Sequence, residues 1–365
     1  MKLRYRIIFF LIGLAGMGVM LWQSDFTDIE WDNLLKPATL LFFAGLLALW
    51  IVIYIIHVIC YYVILGKDGK KVPFFSMFKI CFSGFALNSV TPAGLVGGEP
   101  YRIMALKKYC STEKASSSTL TFSLFYIVGH VTIWFTGAAV YFALGLPGDT
   151  IIDVLLIITA VGTAAFLFAF FISKRRGLVR PFMAFLTKLP FLKKPMKKVY
   201  DKNLETYVHI DDNIKAFRAT RARFWTVFIL QFLSRVLECV EYFFIFLYLG
   251  QTINIFGGIL VMVTASLIGN LMFLIPMQAG SREGGMAMTL GFLGISSGYG
   301  VQGALIYRIR DFMCILIGIT LIMFDKKKVR QNMFDTNEDA LVTEKPGASP
   351  QRTQSPPPVV ENDLE

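Results

Sequence analysis

The sequence predicts an all-α polytopic membrane protein: six full spans and two broken, re-entrant helical hairpins, eight membrane segments in an inverted-topology repeat. Three observations predict it. Of 365 residues, 55% are hydrophobic and 17% charged, and the apolar ones gather in runs of the roughly 20 residues that cross a hydrocarbon layer. A proline followed seven positions later by glutamate occurs twice in these runs, Pro92 to Glu99 in TPAGLVGGE and Pro276 to Glu283 in PMQAGSRE. An offset of 184 positions carries one copy onto the other, and also Met104 onto Met288, Leu106 onto Leu290 and the span at 38–65 onto that at 224–249.

The elements follow in order. Segment 5–22, preceded by Lys2 and Arg4, lacks a small-x-small cleavage site before its polar flank and reads as a first span rather than a leader. Segment 38–65 is an uninterrupted apolar run. Segment 74–106 is broken by the first Pro-Gly word, and Ile103 to Leu106 is followed at once by Lys107 and Lys108. Such a short second arm suits a re-entrant segment, while the first arm is long enough for a crossing as well. Spans at 119–145 and 151–172 follow, then a basic loop at 173–223 containing SKRRG, KKPMKK and RATRAR. Within that loop Tyr200, Leu204, Tyr207, Ile210, Ile214 and Phe217 recur at helical steps. They predict an amphipathic helix that either lies on anionic lipid or packs on the ends of the spans. A span at 224–249, a second broken segment at 256–295 and a last span at 300–323 complete the set. Repeat one is thus about 5–145 and repeat two about 151–323, within a membrane domain of 1–330. The polar, Pro-rich stretch 331–365 reads as a disordered cytoplasmic tail.

Charge sets the orientation. The loop at 173–223 is rich in Lys and Arg, whereas 23–36 carries Asp25, Asp28, Glu30 and Asp32. The positive-inside rule then puts both termini on the cytoplasmic side of the cytoplasmic (inner) membrane. The net charge of +11 sits beside apolar spans, so it speaks for orientation and anionic lipid and not for nucleic acid. Cys60, Cys81, Cys110, Cys239 and Cys314 are scattered and form no disulfide or metal pattern. His57, His130 and His209 lack the spacing of a metal site, and no metal or other cofactor is expected. His57 falls opposite Glu241 under the 184 offset, so a proton relay stands beside plain packing as a reading of that pair.

Two constellations carry chemistry. The first is the hairpin breaks, formed by Pro92, Gly94, Gly97 and Gly98 in one copy and by Pro276, Gly280, Gly284 and Gly285 in the other. Glu99 with Pro100, and Ser281, suit the start of the following helices, whose amino termini would face the bilayer centre and attract anions. Close packing of glycine-lined backbones is the competing reading. The second is charge inside the spans: Glu99, Arg102, Arg235, Glu238, Glu241, Arg282, Glu283, Arg308, Arg310 and Asp311. Each costs about 2.5–3.5 kcal/mol at a helix centre on insertion scales, so such residues face the bundle interior. Helical spacing permits Arg235–Glu238 and Arg308–Asp311 pairs. The arginines offer forked donors to an anionic or phosphate-bearing lipid headgroup, with the carboxylates holding them or exchanging protons. A purely structural network of mutual neutralisation is the alternative.

The stretches FALNSVTPAGLVGGEPYRIMALKK and LIPMQAGSREGGMAMTLGFLGIS resemble the flippase-like membrane family that includes the transmembrane domain of lysylphosphatidylglycerol synthase. The resemblance implies eight membrane segments and movement of a lipid between leaflets. It carries Pro92, Gly97, Gly98, Glu99 and Arg102 onto the first motif, and Pro276, Gly280, Arg282 and Glu283 onto the second. QAG stands here where the family more usually has a proline and paired glycines before Arg-Glu. The soluble domain with which the synthase attaches an amino acid to lipid has no counterpart in these 365 residues, whose basic loop shows no catalytic motif. No phosphate-binding loop for nucleotide is present. The expected function is therefore a lipid flippase or transporter that is not driven by ATP and is not an enzyme, with membrane lipids as its partners. The alternatives are an integral membrane transferase acting on a lipid headgroup, with Glu99 or Glu283 as general base, and a scaffold or receptor.

Overall fold

The computed structural model describes residues 37–90, 97–145, 150–172, 180, 200–201, 204–271 and 280–323. The first span at 5–22, most of the basic loop, the tail at 331–365 and three of the break residues, Pro92, Gly94 and Pro276, lie outside the described residues. The described elements are helices: α1 (Pro37–Leu65), a 3₁₀ turn (Gly66–Lys71), α2 (Phe74–Val90), α3 (Gly98–Leu106), α4 (Thr112–Ala143), α5 (Thr150–Ile172), α6 (Leu204–Ala219), α7 (Arg221–Tyr248), α8 (Ile255–Leu271), α9 (Ser281–Phe292) and α10 (Gly298–Met323). Local chemistry sets several ends. Pro37 opens α1, where a missing N–H does no harm. Ser111 caps α4 by accepting from the Lys114 N–H at 3.2 Å. Gly66 and Gly250 close α1 and α7 with positive φ of 64° and 74°, the left-handed conformation that glycine reaches without strain.

α1 with its 3₁₀ turn, α4 and most of α5 are long and apolar enough to cross a membrane. α7 and α10 have 28 and 26 residues, roughly 42 and 39 Å at 1.5 Å per residue, which exceeds a hydrocarbon layer of about 30 Å. Charge is what sets them apart from purely apolar spans: Arg235, Glu238 and Glu241 on one, Arg308, Arg310 and Asp311 on the other.

Burial runs opposite to that of a water-soluble protein. Arg102, Arg235 and Arg310 are 0–1% exposed, while Ile158 is 64% and Phe168 70% exposed. In water this arrangement would expose a broad apolar surface and desolvate cations at great cost. In lipid it is the favourable one, because the surroundings are as apolar as leucine. α7 shows the rule within one helix. Gln231, Ser234, Arg235, Glu238, Glu241 and Tyr242 form a buried stripe at helical spacing, and Ile229, Leu233, Phe244 and Leu247 are exposed. This is a multi-pass membrane protein.

Helix contacts fall into matching sets. Within the first group α1 touches α2 and α4, α2 touches α3, and α3 touches α4; within the second, α7 touches α8 and α10, α8 touches α9, and α9 touches α10. Between the groups α1 meets α7, and the remaining contacts come in reciprocal couples: α2 with α10 and α8 with α4, then α4 with α7 and α10 with α1. Single hydrogen bonds repeat the pattern. Ser83 on α2 donates to the Gly318 carbonyl on α10 at 2.7 Å, and Trp134 on α4 donates to Ser266 on α8 at 2.8 Å. Gly318 and Trp134 are 184 positions apart, as are Gly66 and Gly250, and the buried Leu106 and Leu290.

α5 packs on α4, and α6 on α4 and α7. Phe217 of α6 meets Phe125 of α4 edge to face at 5.7 Å, and Ile214 is buried. The amphipathic helix of the basic loop is therefore packed on the ends of the spans. Asp211, which falls between its apolar positions, is buried as well and accepts from the Arg180 N–H at 2.9 Å.

The α2–α3 crossing leaves no room for a methyl group. A Cβ added to Gly98 would sit 2.1 Å from the Gly84 carbonyl oxygen and 2.7 Å from Asn88 Oδ1. Gly98→Ala is expected to lower stability by about 1–3 kcal/mol through overpacking, seen as a lower Tm of the purified protein in detergent. An unchanged Tm would mean that the crossing is looser than described.

Candidate functional site

The site is built from the helix starts upward. At the first break, α3 begins at Gly98, whose N–H donates to Asn88 Oδ1 on α2 at 2.6 Å. The amino terminus of α3 is thus capped from a neighbouring helix and not by Glu99, which sits one residue inside it. That frees the Glu99 carboxylate for a different task. Its Oε1 accepts from Arg102 Nη1 at 3.2 Å, Ser123 Oγ on α4 at 3.0 Å and Asn88 Nδ2 at 3.3 Å. One carboxylate oxygen ties α2, α3 and α4 together. At the second break α9 starts at Ser281 itself, and the cap position falls on Gly280, with φ 78°. Gly285 instead brings α9 against α8, where an added Cβ would lie 2.8 Å from Ala265 Cα.

Arg102 stacks over Phe85 of α2 with 4.3 Å to the ring centroid, and Arg235 of α7 over Tyr126 of α4 at 4.1 Å. The two rings are 5.3 Å apart. His57 of α1 packs against both, 4.8 Å from Phe85 and 5.8 Å from Tyr126, and His130 stacks on Tyr126 at 5.3 Å. Arg235 Nη1 donates to Glu238 Oε2 at 2.6 Å, the pair that helical spacing predicts.

A second network joins α7, α9 and α10. Arg310 donates to both oxygens of Glu241, Nε to Oε1 at 2.6 Å and Nη2 to Oε2 at 2.9 Å, and its Nη1 donates to Asp311 at 2.7 Å. Trp50 and Tyr307 sandwich that guanidinium at 4.2 and 4.3 Å. Arg308 pairs with Glu283 of α9. Arg282 donates to the Tyr242 hydroxyl at 3.1 Å and lies over Tyr307. Two expectations are corrected here. Asp311 pairs with Arg310, so the Arg308–Asp311 couple is replaced by a bond between helices. Glu241 is engaged by Arg310 while His57 packs among aromatic rings, so the two do not form a relay. Among the described residues no three His, Cys, Asp or Glu side chains converge as metal ligands would.

Residues 6–318 match the sequence family described as the lysylphosphatidylglycerol synthase TM region. The chain belongs to that family. A UPF0104 membrane protein of Methanothermobacter thermautotrophicus is 23% identical over 273 residues, covering 71% of this chain and 78% of that one. No solved structure matches the chain.

The match to the synthase TM region takes in α3, α9 and all ten charged positions, so the likeness seen in two motifs extends over residues 6–318. Membership connects the buried charge to a membrane lipid-related role. The two networks differ in what they leave open. Arg310 is engaged on every nitrogen that can donate. Arg102 and Arg235 each spend Nη1 on the glutamate of their own helix, and Nε and Nη2, which form one edge of the guanidinium, make no well-formed hydrogen bond, the Tyr126 hydroxyl lying beside that edge of Arg235. Buried donors left this way are costly. Asn88, Ser123, Tyr126, Tyr242 and Tyr307 complete the networks and were missed by a search for charge; uncharged polar residues inside an apolar run were the available signal.

Proposed function

We propose that this member of the synthase TM region family is a lipid flippase, moving a phospholipid or lipid-linked headgroup between leaflets by alternating access at the paired broken hairpins. The observation that carries the reading is the pair of buried guanidinium edges on Arg102 and Arg235, which offer an anionic headgroup bidentate donors inside a lipid-facing bundle. The reciprocal helix contacts support an inverted-topology repeat, the arrangement in which one site is exposed to each face in turn. The second arms α3 and α9, with 9 and 12 residues, are roughly 14 and 18 Å long, too short to cross alone and suited to re-entrant hairpins. On this reading Glu99, Arg102, Arg235, Glu238, Arg282, Glu283 and Arg308 line the headgroup path, while Glu241, Arg310 and Asp311 hold its wall.

Purified protein in vesicles carrying a fluorescent phospholipid tests this. Dithionite bleaches the outer leaflet; with active protein the inner leaflet is bleached as well, and the extracted lipid keeps its chemistry. Bleaching that stops at the outer leaflet across phospholipids and lipid-linked headgroups would refute the proposal, and new lipid species in the extract would favour a transferase.

A further inference from the structure

The two halves differ in their buried charge: of the ten charged positions only Glu99 and Glu283 fall opposite one another under the 184 offset. On the second side α7 is tied to α10 by Glu241 and Arg310. The positions 184 earlier, on α1 and α4, are His57 and Tyr126, whose rings are 5.8 Å apart. A doubly bonded ion pair in one half is thus replaced by two neutral rings in the other. The cation–ring contacts trade places in the same way. On the second side the cation belongs to α10 and the ring, Trp50, to α1; on the first side the ring, Tyr126, belongs to α4 and the cation, Arg235, to α7. The cation that is saturated in one half is open along an edge in the other.

Around that open edge buried polar groups accumulate. Nε and Nη2 of Arg235, Nε and Nη2 of Arg102, and Nδ1 of His57 and of His130 make no well-formed hydrogen bond, and Arg102, Arg235 and His57 are each 1% exposed. All belong to one contiguous aromatic cluster of Phe85, Tyr126 and Phe122. His57 interacts electrostatically with Arg102, Arg235 and His130, and Glu238 with Arg235, Arg310 and Arg282. A guanidinium edge of one Nε–H and one Nη–H matches two oxygens of a phosphate, and it discriminates against ligands that lack a paired-oxygen group.

We infer that five of the ten charged residues form a clamp and a site: Glu241, Arg310 and Asp311 link α7 to α10, while Arg102 and Arg235, with His57 and His130 beside them, form a phosphate site between α1, α3, α4 and α7. The ligand is the phosphate of a lipid headgroup, held by its non-bridging oxygens on the two guanidinium edges, with a histidine Nδ1 as further polar contact. The site rests on the flippase reading for the route by which lipid arrives.

Equilibrium binding to the purified full chain in detergent tests it, with dioctanoyl phosphatidic acid as monoester probe, dioctanoyl phosphatidylglycerol as diester probe and dioctanoylglycerol, which has no phosphate, as control. At least one phosphate probe is expected to bind and the control not to; the tighter of the two identifies the phosphate source. Arg102→Lys and Arg235→Lys keep the charge and remove the paired edge, and each is expected to weaken binding about tenfold or more. His57→Ala is expected to weaken it severalfold. The Lys variants serve even where Arg102→Gln or Arg235→Gln fails to fold. Equal binding of the control, or Lys variants that bind like the parent at a matching Tm, would overturn the site. A protein that binds phosphate but leaves leaflets unmixed would keep this site and lose the flippase reading. Lys variants that lose neither binding nor leaflet exchange would keep that reading and lose the site.

Discussion

Replacing Glu241 by alanine is expected to destabilise the protein by about 3–5 kcal/mol, the loss typical of removing one partner from a buried ion pair. Arg310 is fully buried, and its two bonds to Glu241 at 2.6 and 2.9 Å link α10 to α7 beside the stacked rings of Tyr242 and Tyr307. Without the carboxylate the guanidinium keeps Asp311 on one nitrogen and retains the rings of Trp50 and Tyr307, which do not neutralise it. The loss follows from two buried donors left unpaired and from a counter-charge reduced to Asp311 alone. The double change Glu241→Met with Arg310→Leu is expected to restore part of the stability, since apolar side chains of similar volume remove the desolvation penalties of both groups and leave unpaired only Asp311, whose side chain is 22% exposed. Thermal melting in detergent checks both. A single variant that melts with the parent would show that Glu241 is not the clamp assigned here.

Glu99→Gln is expected to reduce leaflet exchange by roughly ten- to a hundredfold. The estimate follows from the about 1.5–3 kcal/mol carried by a hydrogen bond to a charged group. Glu99 fixes Arg102 through Nη1 and is itself fixed by Asn88 and Ser123. An amide of the same shape keeps one acceptor and loses the charge. Arg102 then has a buried cation with no counter-ion on its own helix, and its free edge is no longer held in place. Glu283→Gln is expected to act in the same direction by releasing Arg308. The measurement is the vesicle exchange assay at matched protein content. Parental exchange rates in both amides would favour the scaffold reading, in which these carboxylates only support the fold.

Much of this was legible before any coordinates. The 184 offset pairs helices whose contacts come in matching sets, although of the ten charged positions it brings only Glu99 and Glu283 together. The Arg235–Glu238 pair was legible because it is local, three residues apart on one helix. Bonds between helices were not. Arg308 was assigned to Asp311 by spacing, but Glu283 on α9 lies closer to it, and one-dimensional spacing cannot register a neighbour that arrives through packing. Capping misled at Glu99 for a related reason: Asn88 on α2 satisfies the first N–H of α3, leaving the carboxylate for Arg102. The reading of α6 was undecided because an amphipathic pattern looks alike against lipid and against protein; the burial of Asp211 decides it, since a helix lying on lipid would turn that carboxylate to water.

Sidedness of two equivalent loops tests the inverted arrangement most directly. Lys70, in the turn after α1, and Thr252, in the turn after α7, are exposed and follow the paired glycines Gly66 and Gly250. Cys110 is partly accessible and the other four cysteines are buried, so Cys110→Ser gives a quiet background for single cysteines placed at 70 and 252. With a maleimide that does not cross membranes, position 70 should react only from the cytoplasmic face and position 252 only from the opposite face. Labelling of both positions from the same face would contradict the inverted repeat, and with it the alternating-access account.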